Sequence, residues 1–139
     1  MSPTREKQGF TAEEKAAMKA RAKELKATED GETAIAAALK KMSPDDRALG
    51  ERVHKLVRET APDLTPKTWY GMPAYANKDG KVVCYFKDAG KFKARYSELG
   101  FAEAANLDDG NMWPIVYALT KLTKADEARI VELVTQAVS

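Results

Sequence analysis

TWYGMPAY, running from Thr68 to Tyr75, is the stretch on which the fold turns. Before Pro66 the apolar residues recur at helical spacing. After Thr68 they alternate in short segments as far as Tyr96, punctuated by the turn signals Asp79-Gly80 and Asp88-Ala89-Gly90. The stretch enters a hairpin whose register is open. A two-residue turn at Asp79-Gly80 puts Trp69 and Tyr75 on the core side, whereas a three-residue loop puts Met72 and Ala74 there. Pro73 has no amide to donate, so its strand lies at an edge or carries a bulge.

Working outward toward the C-terminus, Val82–Phe86 and Lys91–Tyr96 each have one apolar parity. A three-residue loop at Asp88-Ala-Gly90 sets Phe86 against Phe92, Cys84 against Ala94 and Val82 against Tyr96. The opposite face then carries Tyr85, Lys87, Lys91, Lys93 and Arg95. Ser97 to Leu107 reads as a short helix interrupted by Gly100. Met112 to Leu119 reads as a fourth strand, with Pro114 disturbing its start, and Thr123 caps a last helix over Lys124–Val138.

Working outward toward the N-terminus, Met1–Gly9 is polar and expected to fray. Thr11-Ala-Glu-Glu14 is a capping box opening a helix to about Lys26, with only Met18 and Leu25 on its apolar stripe. Thr28–Gly31 reads as a turn, and Glu32–Met42 as a second helix. Ser43-Pro-Asp-Asp46 starts a third, with Leu49, Val53, Leu56 and Val57 facing the core and Pro62 ending it. His54 falls off that stripe and reads as a solvated surface histidine.

Helices, then strands, then a helix predict an α+β domain. Its centre is a sheet of about four mainly antiparallel strands, with the helices on one face. Residues 1–31 form a helical extension, and 32–139 the domain proper.

A chain of 139 residues with 44% hydrophobic and 32% charged residues sustains one core without a disulfide or metal staple. Cys84 is the only cysteine, which excludes an internal disulfide and a cysteine-rich zinc site. The formal net charge of +2 does not favour a dedicated nucleic-acid binder, so such a role needs a local basic patch. Without an apolar leader or a run approaching ~20 apolar residues, the expectation is a cytoplasmic protein with no membrane partner.

No catalytic constellation is visible: no phosphate-cradling glycine loop occurs, and Cys84 sits on an apolar parity where it acts as a small hydrophobe. The preferred reading is a binding module for a small ligand, a metal or a protein partner. Glycine and proline disturb the backbone around both tryptophans, so Trp69, Tyr70, Met72, Tyr75 and Trp113 are the candidate lining of a small-ligand pocket at one end of the sheet. The alternative is nucleic-acid binding through Tyr85, Lys87, Lys91, Lys93 and Arg95.

The block APDLTPKTWYGMPAY, following a helix, resembles the YdhG-like family, a domain of unknown function, over about Glu32–Ser139. The blocks KFKARYSELGF, NLDDGNMWP and GFTAEEKAAMKARAKELK resemble an actinobacterial-type branch of it. Some members are described as frataxin-like iron chaperones. The resemblance therefore implies iron held by surface carboxylates, since that ion favours oxygen ligands. The candidate groups are Glu29-Asp30-Glu32, Asp45-Asp46 and, as the metal site, Asp108 and Asp109. No other cofactor is implied.

Overall fold

Thr11 opens the first helix as its capping box predicts. Its hydroxyl accepts the Glu14 amide at 3.1 Å, while the Glu14 carboxylate accepts the Thr11 amide at 3.0 Å. The computed structural model describes residues 11–139, so the expected fraying of Met1–Gly9 lies outside the described residues. Helix α1 spans Ala12–Lys40 without a break. The turn expected at Thr28–Gly31 does not form, and the boundary drawn between 31 and 32 falls within one helix. Gly31 is there for proximity: a Cβ on it would stand 1.8 Å from the Pro66 carbonyl oxygen. From Ala12 to Ala27 every residue of α1 is exposed, and only the later part packs.

Helix α2, Pro44–Thr60, is capped by Ser43, whose hydroxyl accepts the Asp46 amide at 3.3 Å. Arg47 reaches back and donates to the carbonyls of Leu39, Lys40 and Met42, each at 3.1 Å. Those carbonyls lie at or just beyond the end of α1, where the helix itself supplies no further donors.

Five strands follow: β1 (Thr65–Trp69), β2 (Met72–Ala76), β3 (Val82–Lys87), β4 (Ser97–Phe101) and β5 (Val116–Leu119). All neighbours are antiparallel in the order β1-β2-β3-β4-β5, a simple meander. Helix α3, Lys124–Ala137, closes the chain behind a Thr123–Asp126 capping box. The domain is α+β, with one more strand than expected.

The extra strand comes from the decisive stretch itself. Tyr70 and Gly71 have φ of 52° and 76°, the two positive values that a tight two-residue hairpin turn requires, and Trp69 pairs with Met72. Trp69 and Tyr75 therefore lie on opposite faces, a combination that neither register for Asp79-Gly80 provides. β2 is paired on both sides, but Pro73 itself pairs only with Thr68 of β1, and the β2–β3 ladder begins at Ala74 and carries an irregularity between Tyr75 and Ala76.

The third departure is at β4. Residues 91–96 form turns and bends, and the strand pairing with β3 is Ser97–Phe101. Phe86 faces Leu99 and Cys84 faces Phe101, in place of Phe92 and Ala94. Polar contacts draw the loop away from pairing: the Gly90 amide donates to Asp46 at 2.9 Å and the Lys91 amide to Asp88 at 3.1 Å. Gly100 is a strand residue whose missing side chain leaves room for the Tyr85 ring, 2.2 Å from where a Cβ would lie. β5 is also shorter than expected, beginning at Val116 beyond Pro114.

All three helices supply side chains to one core with the inner sheet face. Ile35, Leu39, Val53, Val57, Ile130 and Val134 join Tyr75, Cys84, Phe86, Leu99, Phe101 and Leu119. The other face carries Lys67, Trp69, Met72, Ala74, Tyr85, Lys87 and Glu98 by strand alternation, and none of them belongs to that core cluster.

Candidate functional site

On the outer face the indole of Trp69 lies 5.1 Å from the Tyr70 ring and 5.3 Å from the Tyr85 ring, centroid to centroid and tilted in both cases. The Trp69–Tyr85 pair is an edge contact of the kind aromatic quadrupoles favour. Met72 and Ala74, next to Trp69 and Tyr85 in register, are buried. Tyr70, by contrast, is 77% exposed at the tip of its hairpin.

The β3–β4 loop brings cations to the same end of the sheet. The Lys91 ammonium donates to the Tyr70 carbonyl at 3.0 Å, tying loop to hairpin tip. The ammonium groups of Lys87 and Lys91 stand 4.9 and 5.4 Å from the centre of the Phe92 ring, and Arg95 lies over Tyr96. Lys93 and Arg95 are exposed in this loop. Burial, and then the Glu98 carboxylate, raise the Tyr85 phenol above its ordinary value, so it remains a neutral donor. At the opposite end, Lys67, Trp69, Lys81, Val82 and Glu103 line an open depression of about 560 Å³.

Of the five residues proposed for a pocket, Trp69, Tyr70 and Met72 share this face and the other two do not. Tyr75 is fully buried on the inner face. Trp113 lies beyond the far end of the sheet, lining a separate depression of about 420 Å³ with Asp108, Met112 and Ile115. The five do not form one site. Of the residues considered for nucleic acid, Tyr85 and Lys87 lie on the face and Lys91 reaches Tyr70 at its rim, whereas Lys93 and Arg95 stand exposed in the β3–β4 loop and not on a strand of this face. Sequence reasoning separated these two sets, and the structure joins them through the Trp69–Tyr85 contact. The signal that links them was the Tyr70-Gly71 turn, which sets Trp69 on the Tyr85 side.

The acidic groups are dispersed. Asp108 and Asp109 are exposed in the β4–β5 connection, and Asp46 is occupied with Gly90 and Ser97. Among the described residues, no three His, Cys, Asp or Glu side chains cluster in a way that would hold a metal ion. His54, expected in solvent, is half-buried: Nδ1 lies 2.8 Å from the Tyr75 hydroxyl, and Nε2 lies 3.0 Å from Glu32. Among the described residues, no helix is long and apolar enough to cross a membrane.

No family model, curated protein or solved structure matches the chain, so the YdhG-like resemblance rests on the sequence blocks that carry it.

Proposed function

We propose that the chain is a binding module that works through the open face of its sheet, taking ligands that combine a flat ring with negative charge. The observation that carries this reading is the continuous run Tyr70–Trp69–Tyr85, bordered by Lys67, Lys87 and Lys91. Rings give apolar contact area at little entropic cost, and the cations select for anions. Catalysis is not part of the reading. Cys84 is fully buried with its thiol pushed up to about 12, so no thiolate is presented, and His54 is engaged with Tyr75 and Glu32.

Trp69 itself is the reporter. In a Trp113→Phe chain it is the sole tryptophan, and titration with mononucleotides or flavin mononucleotide is expected to change its emission saturably, with the response weakened in Lys87→Gln. Native mass spectrometry of freshly purified protein should show co-purifying anions of this kind. A flat Trp69 response together with a ligand-free spectrum overturns the reading.

A further inference from the structure

Tyr70 carries an unusual combination of features. It is a non-glycine residue with φ of 52°, in the left-handed region that L side chains avoid, and it is 77% exposed. In a turn with two positive φ values the first central position is best filled by Asn, Asp or Gly. An exposed aromatic there adds nothing to the core and strains the backbone, and such outliers concentrate where a chain contacts a ligand. Its carbonyl is held by Lys91, so ring and cation are positioned as a unit.

The shape of the face narrows the ligand. A small molecule is ordinarily taken into a cleft that buries most of its surface. Here the rings lie on an open sheet, and the cations are distributed along it: Lys87 and Lys91 toward the hairpin tip, Lys67 and Lys81 toward the opposite depression. Glu98 is the acid among the strand positions of this face, and Asp79 and Glu103 border the depression with Lys67 and Lys81. Rings in a row with charges beside them suit a polymer that repeats a flat ring and a phosphate. A duplex hides its ring faces, so stacking on these rings requires unpaired bases.

Resting on the open-face reading above, we infer that the ligand of this face is a single-stranded nucleic acid, its bases stacking on Tyr70, Trp69 and Tyr85 and its phosphates following Lys91, Lys87 and Lys67. Such platforms are tolerant of sequence and sensitive to salt. Neutralising about three phosphates makes the Kd rise roughly 20-fold between about 50 and 200 mM salt.

The test is fluorescence anisotropy of the full chain with labelled dT and rU decamers, a duplex of equal length, and the mononucleotides TMP and UMP as competitors. Binding of either decamer supports the inference, and the preference between them reports the sugar. The decisive variant is Tyr70→Asn. Asparagine suits the turn, so this change is expected to leave thermal stability equal or higher while removing the ring, and binding should weaken roughly 5- to 150-fold. Lys87→Gln should weaken it and flatten the salt dependence, and Lys19→Ala on the exposed part of α1 should change neither. No decamer binding at low salt, equal or tighter duplex binding, or full affinity in Tyr70→Asn overturns the inference. Saturable mononucleotide binding in the Trp69 emission titration, in the absence of decamer binding, overturns the single strand and leaves the open-face reading standing. Failure of both arms removes both.

Discussion

The imidazole of His54, on α2, stands 2.8 Å from the hydroxyl of Tyr75, on β2. The other ring nitrogen faces the Glu32 carboxylate of α1 at 3.0 Å, and the Arg58 guanidinium approaches the same carboxylate at 3.4 Å. In the neutral imidazole whose Nε2–H donates to this carboxylate, Nδ1 is the acceptor for the Tyr75 O–H. One polar chain thus joins both N-terminal helices to the sheet and satisfies a phenol that is otherwise fully buried.

His54→Ala strands that hydroxyl, and the expected loss is about 1–3 kcal/mol of unfolding free energy. Tyr75→Phe should cost less, about 0.5–1.5 kcal/mol, because the freed imidazole lies nearer solvent. In the double variant the two losses should fall short of their sum by about 1 kcal/mol, measured by urea denaturation. Strict additivity would show that the pair is not coupled.

Cys84 and Tyr75 face each other across β2 and β3, and burial raises both of their acid groups. The unfolded thiol ionises at its ordinary 9.0, whereas the folded thiol stays protonated to about 12. In that window the unfolded state binds fewer protons, so stability is complete below pH 9 and falls as pH rises, by about 1.4 kcal/mol per pH unit. Tyr75 adds a second proton above its ordinary 10.0. Cys84→Ala should remove the decline that begins near pH 9 and leave the later one. The same burial predicts that thiol reagents label Cys84 only as fast as the chain unfolds.

Legibility in the sequence followed the range of the forces involved. Thr11, Ser43 and Thr123 act within three residues, and all three helix starts stand where their caps put them. The α+β order and the placing of the helices on one face also follow from local periodicity. What was not legible depends on partners remote in the chain. Gly31 reads as a turn until Pro66 is beside it, and Gly100 reads as a helix break until the Tyr85 ring fills its place. Lys91–Tyr96 alternates as well as Ser97–Phe101 does. The loop contacts separate them, among them the capture of Gly90 by Asp46, 44 positions away. The open face had the same obstacle, since its two halves meet only through the Tyr70-Gly71 turn.

Asp46 anchors the loop that carries Lys91 and Lys93. Its carboxylate accepts the Gly90 amide at 2.9 Å and the Ser97 hydroxyl at 3.4 Å, and Ser97 in turn accepts the Ala89 amide at 3.0 Å. Asp46→Ala should cost about 1.5–3 kcal/mol, with Asp46→Asn recovering part of it because one acceptor remains. Hydrogen exchange locates the effect: the amides of Ala89 and Gly90 should lose protection while those of α3 keep theirs. Unchanged protection at Gly90 would show that Asp46 does not anchor the loop.

Gly31→Ala gives the sharpest sign. Within a helix interior this substitution ordinarily stabilises by about 1 kcal/mol, since alanine is the better helix former and restricts the unfolded chain. Here the added carbon meets backbone, 1.8 Å from the Pro66 oxygen and 2.6 Å from its carbon, and no side-chain rotation relieves that contact. Helix α1 must lift from β1, separating Ile35 and Leu39 from the core they enter. The expected outcome is a loss of about 1–3 kcal/mol, the range for overpacking at a tight contact. Hydrogen exchange should rise around Gly31 and Pro66, while the exposed turns from Ala12 to Ala27 stay as they were. A Gly31→Ala protein that melts higher than its parent would show that α1 does not lie this close to β1.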